Sequence, residues 1–324
     1  MHLFLFRQFK YLIKDLKELP NLNIGKFDIN RFPNQELYIK LYTNVANKEC
    51  LIMSSITPPE ENLFSTLLLS HTLKKDGATT ISALLPYLAY TRQDKEKRGE
   101  SLAAASVGEL LLTSHINEII TIDLHSHKAE DLFPLLIHNL STAKLFAKEI
   151  NKLKLKNPTF IAPDEGSIER VEKVMEEFGK KAELAFMKKK RTTSGINSIL
   201  FGHINKDVII IDDMLDTGKT LIACCEKLKL KGAENIYIFV THGLFTGKDW
   251  QDLFNLNVKN IYCTNSIPDV QNLKYKGINI ISIKPLLEEY FYHIKKLKQE
   301  LNQFYKGFRE GRVIEPEETP IFEL

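Results

Sequence analysis

The 324-residue sequence is poor in cysteine and carries almost no net charge. Its four cysteines, Cys50, Cys224, Cys225 and Cys263, include no CxxC pair. We therefore expect them to be small apolar core residues in a protein of a reducing compartment. The 44 basic residues nearly balance the 41 acidic ones, for a formal charge of +3. This balance favours neither a nucleic-acid partner nor a membrane surface.

Long apolar runs are also missing. Residues 3–6 are apolar, but Arg7 and Lys10 follow too soon for the apolar region of a signal peptide. No run approaches the length of a membrane span. We therefore expect a soluble, cytoplasmic protein with no membrane partner. The hydrophobic fraction of 44% is sufficient for well-formed cores, and the length favours two domains.

The most informative stretch is 206–221, which reads KDVIIIDDMLDTGKTL. The β-branched residues 208–211 predict a strand buried on both faces, as in a parallel sheet. The polar loop that follows leads into a helix beginning near Leu221, and ligands of open α/β sheets bind at such junctions. The N–H groups at the start of the helix suit a phosphate, while the carboxylates of Asp212 and Asp213 suit ribose hydroxyls or a metal ion.

The end of this loop, Gly218-Lys219-Thr220, looks like the end of a Walker A motif. That motif requires a glycine five positions before Gly218, and Asp213 occupies the position instead. The sequence therefore does not predict a P-loop nucleoside triphosphatase.

Strands and helices alternate along most of the chain. Strands are predicted at residues 37–41, 50–56, 80–85, 119–124, 159–162, 184–187, 208–211 and 236–240, and helices at 5–19, 63–75, 103–113, 168–178, 221–231 and 286–305. Ser141 is the predicted N-cap of a further helix. The alternation predicts an α/β fold of two tandem domains, each a mostly parallel sheet flanked by helices. The predicted units are an N-terminal domain at 1–144, a C-terminal domain at 145–294, and a helix with a tail at 295–324.

A short internal match supports a duplication. Residues 73–81 and 228–236 share Leu, Lys, Gly, Ala and Ile at one common offset. A shared way of ending helices explains the match equally well. In the first half, the strand that corresponds to 208–211 is followed by residues 54–61, which contain no acidic pair at the strand end and no glycine. We therefore expect one pocket per chain, formed by the second half and closed by loops of the first.

Polar stretches follow several other predicted strands. They read PYLAYTRQDK at 86–95, DLHSH at 123–127, APDEG at 162–166 and KKKR at 188–191, and RFPNQE occupies residues 31–36. Taken alone, the KKKR run is typical of a solvated charged surface. Together with the loop at 212–220, the order and spacing of these stretches resemble the family of ribose-phosphate pyrophosphokinases (phosphoribosyl diphosphate, or PRPP, synthetases) over roughly residues 25–285. The Tyr-x-Arg-Gln-Asp block at 90–94 is the most specific, because nucleobase phosphoribosyltransferases share the ribose-phosphate loop but not this block.

The resemblance implies two phosphoribosyltransferase-like domains, with the first on the ATP side, and a role for each matched residue. ATP is expected at Asn34, Gln35, Glu36, Arg92 and Gln93; ribose 5-phosphate at Arg191, Asp212, Asp213, Asp216, Thr217, Gly218, Lys219 and Thr220; Mg²⁺ at His125 and Asp164; and catalysis from Lys189 and Arg191 on a mobile loop. His127 has no matching role and is expected to be structural. Family members also assemble from dimers, so a homo-oligomer is expected.

The implied reaction is transfer of the diphosphoryl group of Mg-ATP to the C1 hydroxyl of ribose 5-phosphate, giving PRPP and AMP. Two departures from the family pattern are Lys219, which replaces a second glycine of the loop, and Asn34-Gln35, which replaces Asp-Gly. They motivate one alternative, a catalytically weak regulatory subunit that resembles PRPP synthetases. A second alternative is a nucleobase phosphoribosyltransferase.

Overall fold

The computed structural model describes residues 1–19, 22–192 and 195–309. In its first half, the strands are β1 (His2–Leu5), β2 (Asn23–Ile24), β3 (Phe27–Arg31), β4 (Leu37–Leu41), β5 (Glu49–Met53), β6 (Thr80–Leu84), β7 (Glu118–Ile122) and β8 (Leu136–Leu140). The helices of this half are α1 (Ile13–Lys17), α2 (Glu61–Lys75), α3 (Ala103–Thr113) and α4 (His127–Asp131), and a 3-10 helix covers Arg7–Leu12. Six strands form a parallel sheet in the order β2-β1-β5-β6-β7-β8, and β3 pairs with β4 as a separate antiparallel hairpin.

The second half is built in the same way around a larger sheet. Its elements are α5 (Ala143–Lys152), β9 (Thr159–Ala162), α6 (Ile168–Phe178), β10 (Glu183–Thr192), β11 (Gly195–Phe201), β12 (Asp207–Leu215), α7 (Lys219–Leu230), β13 (Asn235–Gly243), β14 (Val258–Thr264), β15 (Ile278–Ile281) and α8 (Lys284–Arg309). Short 3-10 helices cover Glu165–Ser167, Asp249–Asn255 and Pro268–Asn272. The sheet order is β11-β10-β9-β12-β13-β14-β15, and only β10 and β11 are antiparallel. The predicted α/β fold with two mostly parallel sheets flanked by helices is confirmed; the domain limits stay predictions.

The strand predicted at 208–211 is the centre of the second sheet. All four residues are fully buried, as expected for a strand covered on both faces. The strand is longer than predicted, because β12 keeps its pairing with β13 as far as Leu215. Asp212 and Asp213 are therefore part of the strand and not of the loop, and the loop itself is reduced to residues 216–218.

The N-terminal prediction was wrong in part. The apolar residues at 5–19 have helical spacing, but His2–Leu5 is a strand between β2 and β5, and only Ile13–Lys17 is α-helical. The predicted cap of α5 is also displaced, because Thr142 is the N-cap residue. The hydroxyl of Ser141 accepts a hydrogen bond from the Ala143 N–H at 3.2 Å, so it contributes to the helix start from one position earlier.

One apolar core connects the two halves. It contains Leu51 and Ile122 from the first sheet, and Phe160, Ile209 and Phe239 from the second. Each half also has a core of its own on the other face of its sheet. The shared core holds the two sheets in one fixed arrangement, because repacking it would expose a large apolar area to water.

The four cysteines lie in these cores, as predicted. All are buried and unpaired. Burial raises the pKa of Cys50 to about 11 and the pKa of Cys225 and of Cys263 to about 12, and it raises the pKa of Cys224 well above its ordinary value. Among the described residues, no helix is both long enough and apolar enough to cross a membrane.

A buried polar cluster also joins the halves. The ring of His242, at the end of β13, lies between two partners: Nε2 is 2.9 Å from the carbonyl oxygen of Ile122, and Nδ1 is 2.8 Å from the hydroxyl of Ser266. Since a carbonyl oxygen only accepts, Nε2 carries the proton of a neutral ring. Burial is the main reason that the pKa of His242 is lowered to about 4.

We predict that His242 makes the fold sensitive to acid. The unfolded chain takes up a proton near pH 6.5, whereas the folded chain does so only near pH 4, so stability falls as pH drops through this window. Between pH 7 and pH 5 the loss is about 2 kcal/mol. His242→Gln should be less stable at pH 7 but should lose about 2 kcal/mol less on acidification. Urea unfolding at both pH values measures this difference.

His203→Gln, at an exposed position, is the matched control and should keep the full acid response of the parent protein. If His242→Gln lost as much stability as the parent between pH 7 and pH 5, the assignment of the acid sensitivity to this ring would be wrong.

Candidate active site

A polar cleft lies where the carboxyl ends of strands from both sheets approach each other. A cavity of about 700 Å³ is bounded on one side by the loops that follow β6 and β7, and on the other by the start of α6 and the end of β12. Both halves supply charged groups to it. The wall contains both basic and acidic residues: Arg92, Lys95, Lys97, Lys128 and Arg170, with Asp94, Glu100, Asp164, Glu165, Asp212 and Asp213.

A hydrogen bond between His125 and Asp213 spans the cleft. Nδ1 of His125, after β7, lies 2.6 Å from Oδ2 of Asp213, at the end of β12. This bond raises the pKa of His125. Burial opposes ionisation of Asp213, but the hydrogen bond with His125 and the charge of Arg170 outweigh it and lower the pKa of this carboxyl to about 2. The pair therefore has the character of an imidazolium held by a carboxylate.

The neighbouring carboxyl, Asp212, behaves in the opposite way. Burial and the adjacent charge of Asp213 raise the pKa of Asp212 well above its ordinary value. Two carboxylates this close repel each other, so one carboxyl loses its proton at low pH and the other only at a higher pH. Asp213 is thus a hydrogen-bond acceptor, whereas Asp212 is able to hold a proton and donate it to a hydroxyl.

The loop that joins β12 to α7 has a shape that only glycine allows at its centre. Gly218 has φ +86°, and a Cβ atom there would lie 2.8 Å from the Cα of Trp250. The carbonyl of Gly218 accepts the N–H of Ile222 at 2.8 Å, so the helix begins at once. The first N–H groups of α7 have no carbonyl of their own helix to bond, and they are therefore available to an anion.

Arg92 and Asp216 connect this loop to the first half. Nη1 of Arg92 lies 2.6 Å from Oδ2 of Asp216. Nearby, the Ser126 hydroxyl donates to Asp94 at 2.6 Å, and the Ser101 hydroxyl bonds the amide oxygen of Gln93 at 2.5 Å. The predicted ATP residues Arg92 and Gln93 thus lie in the same cleft as Asp212 and Asp213 of the predicted ribose 5-phosphate site, whereas residues 216–220 are not among those that line it.

Asp164 lies on the wall of the cleft, where it caps the short 3-10 helix Glu165–Ser167 that leads into α6. Its Oδ1 accepts the Ser167 N–H at 3.1 Å, and Ser167 in turn bonds the Asp164 backbone, which fixes the carboxylate. Within the described ranges, no three His, Cys, Asp or Glu side chains are arranged to hold a metal ion. This donor set still fits Mg²⁺, which needs only one or two protein carboxylates when phosphate oxygens and water complete its shell.

The structure does not bring every predicted residue to the cleft. Residues 34–36 form the turn between β3 and β4, and they are not among the residues that line the cavity. Arg31 fixes the base of this turn, with one nitrogen 2.6 Å from the Gln35 carbonyl and the other 2.5 Å from Glu61 of α2. The residues predicted to bind ATP therefore lie in two separate places in the structure: Arg92 and Gln93 line the cleft, and residues 34–36 do not.

The backbone of Lys189 and Arg191 belongs to β10, which pairs with β11 as a long hairpin. The mobile loop that the family resemblance implies is therefore a pair of strands up to Thr192. The side chains of Lys189 and Arg191, like that of His127, lie outside the described part of the structure, so their roles stay predictions.

Three groups near the cleft were not predicted from the sequence. Arg170 donates to the Leu124 carbonyl at 3.2 Å and lies beside the aspartate pair, and Thr246 bonds Asp216. Asp123 accepts hydrogen bonds from the hydroxyls of Thr142 and Thr241. For Arg170 a signal exists, since it lies in the helix that Asp164 begins; for Thr246 nothing in the sequence marks the contact.

The aspartate pair at the end of β12 and the charged loops after β6 and β7 thus form one polar site in an α/β fold with two parallel sheets. A family model for the N-terminal domain of ribose phosphate pyrophosphokinase matches residues 1–114, and one for the phosphoribosyl synthetase-associated domain matches residues 180–305.

Relatives and solved structures agree with these matches. The ribose-phosphate pyrophosphokinase of Buchnera aphidicola is 26% identical over 89% of this chain and 94% of its own length, and that of Thermotoga maritima is 28% identical over 85% and 89%. The crystal structure of phosphoribosylpyrophosphate synthetase from Mycobacterium smegmatis superimposes with a TM-score of 0.81 at 27% identity, covering 91% of this chain and 98% of that one. The chain belongs to the ribose-phosphate pyrophosphokinase family.

We predict that Gly218→Ala destabilises the protein by more than the backbone strain of a non-glycine residue at positive φ. Gly232→Ala is the matched control, because Gly232 has φ +91° but no atom near the position of a Cβ. The control should lose about 1 kcal/mol from backbone strain. Gly218→Ala should lose a further 1–3 kcal/mol, roughly, because Trp250 must move. Equal losses in urea unfolding would show that the loop tolerates a side chain.

Proposed function

We propose that the protein is a ribose-phosphate diphosphokinase, which transfers the β,γ-diphosphoryl group of ATP to the C1 hydroxyl of ribose 5-phosphate. The observation that supports this most strongly is that Arg92 and Gln93 of one half line the same cleft as Asp212 and Asp213 of the other. A cavity of about 700 Å³ has the size of a site for small molecules and lies at the strand ends of both sheets.

Ribose 5-phosphate binds on the side of the second half in this proposal. Its phosphate lies at the loop 216–220, where the N–H groups at the start of α7 and the helix dipole favour an anion. Its hydroxyls contact Asp212 and Asp213. Because one carboxyl accepts and the other is able to donate, the pair matches neighbouring hydroxyls that each donate and accept.

ATP binds on the side of the first half. The guanidinium of Arg92 suits a phosphate oxygen or an edge of the base, and the amide of Gln93 both donates and accepts. For Asn34, Gln35 and Glu36 the assignment to ATP rests on the family resemblance alone.

Mg²⁺ is the proposed cofactor, with Asp164 and His125 next to it. When bound there, the ion would supply positive charge that neutralises the phosphates of ATP. Nδ1 of His125 is bonded to Asp213, so its Nε2 is the nitrogen that would be left to bond a phosphate oxygen or a water of the ion. The carboxylate of Asp164 is already oriented by Ser167, which reduces the entropy lost on binding.

The reaction itself is a direct displacement. The C1 hydroxyl releases its proton to solvent and its oxygen forms a bond to the β-phosphorus, the bond from that phosphorus to the oxygen of the α-phosphate breaks, and AMP leaves. The residues of the chain bind and orient the two substrates, and the cations Lys189 and Arg191 neutralise the charge that develops on AMP.

The test is to incubate purified protein with ATP, ribose 5-phosphate and Mg²⁺ and to detect AMP and PRPP. Stoichiometric formation of both products is expected. Well-folded protein without turnover would favour the alternative of a regulatory subunit, which Lys219 at the first position of α7 motivates. Release of pyrophosphate from PRPP by a nucleobase without ATP would instead identify a phosphoribosyltransferase.

We also propose that the enzyme acts in the cytoplasm as a homo-oligomer based on dimers, with no nucleic-acid partner. Nearly balanced charge supports the absence of a nucleic-acid partner, and buried free thiols support a reducing compartment. The homo-oligomer rests on the family resemblance alone. Analytical ultracentrifugation measures the assembly.

We predict that Lys189→Ala lowers kcat by about a hundredfold or more, because a cation placed at the developing charge acts mainly in the transition state. Binding of Mg-ATP, measured by calorimetry, should change little. Lys190→Ala is the matched control, since Lys190 has the same charge, is the next residue in β10 and lies outside the matched motif. If both variants kept the rate of the parent enzyme, Lys189 would have no part in the reaction.

A further inference from the structure

The Arg92–Asp216 ion pair joins residues that the family resemblance assigns to different substrates. Arg92 lies in the loop after β6 and is expected to bind ATP. Asp216 lies in the loop before α7 and is expected to bind ribose 5-phosphate. They are 124 positions apart in the chain, and their side chains are 54% and 25% exposed. An ion pair between two substrate sites makes each site sensitive to the other.

Of the two partners, Asp216 is the one held by its surroundings. It is hydrogen-bonded to Thr246 as well as to Arg92, and both contacts contribute to a lowered pKa of its carboxyl although burial opposes this. The strand end next to it is fixed too, because the Leu215 carbonyl accepts the N–H groups of Leu244 and Phe245 at 2.9 and 3.0 Å. Arg92 is the more exposed side chain, so the contact orients Arg92 against a fixed carboxylate.

The charge of Asp216 does not suit the role of a phosphate ligand. A carboxylate repels a phosphate, whereas the N–H groups of the same loop attract it. A guanidinium has five N–H donors in one plane, and binding Asp216 through Nη1 leaves the others for a further anion. Arg92 also lines the cleft, so these donors are close to where a triphosphate is expected.

We propose, on the basis of the function above, that Asp216 is a positioning residue for ATP: it holds the Arg92 guanidinium in the orientation that binds the nucleotide, while the loop backbone binds the sugar phosphate. Asp216 then affects ATP even when ribose 5-phosphate is absent. The ATP site and the ribose 5-phosphate site are coupled through the contact between Arg92 and Asp216.

The test is calorimetric titration of Mg-ATP into the enzyme without ribose 5-phosphate, together with KM for ATP when ribose 5-phosphate is saturating. Asp216→Asn should weaken ATP binding by about two- to fivefold, the size expected for a partly exposed ion pair. Asp216→Glu should restore part of the loss. In an Arg92→Gln background, Asp216→Asn should have no further effect on ATP, because the contact is already gone.

Thr217→Ala is the matched control in the same loop. It should raise KM for ribose 5-phosphate and leave the affinity for ATP unchanged. If Asp216→Asn behaved like Thr217→Ala, or if its effect on ATP persisted in the Arg92→Gln background, the positioning role would be wrong while the proposed reaction would stand. If the parent enzyme formed no PRPP, the proposed function itself would fail.

Discussion

The cleft depends on a carboxylate that is buried between the two sheets. Asp123, which follows β7, is only 8% exposed and accepts hydrogen bonds from the hydroxyls of Thr142 and Thr241, the latter at 2.5 Å. A polar group buried in this position is stable only while these donors are in place. Because His125 follows two residues later, the same network fixes the loop that carries the histidine to Asp213 of the other half. Loss of one donor would therefore affect the site as well as the fold.

The chemistry of the cleft follows from how its charges are separated. Identical side chains at 212 and 213 differ in proton affinity because Asp213 is hydrogen-bonded to His125, whereas Asp212 is buried beside the charge of Asp213. On the opposite wall, the flexible side chain of Arg92 is fixed by a partner from the other half. Phosphoryl transfer needs positioned charges more than covalent groups, and this site has mainly such charges.

Local pattern predicted some elements to the residue and others only in part, since the central strands β12 and β13 are longer than predicted. The helices at 103–113 and 168–178 and the strands at 37–41 and 159–162 have the predicted limits, because their periodicity agrees with their burial. The edge strand β8 was missed, since LIHNL is partly exposed and polar, and so was β1, whose partners come from distant parts of the chain. Motif order predicted that Arg92, His125, Asp164 and the aspartate pair meet. The contact of Arg170 with Leu124 depends on how the two halves pack, and that of Thr246 with Asp216 depends on how the loops after β12 and β13 pack. No local pattern records either contact.

The burial of all four cysteines has a practical consequence. Their thiols are covered and stay protonated at neutral pH, and the thiolate is the form that reacts with alkylating agents. A cysteine introduced on the surface would therefore be labelled selectively in the otherwise unaltered protein. A pair of fluorescent or spin labels, one on each half, would then report the width of the cleft as each substrate binds.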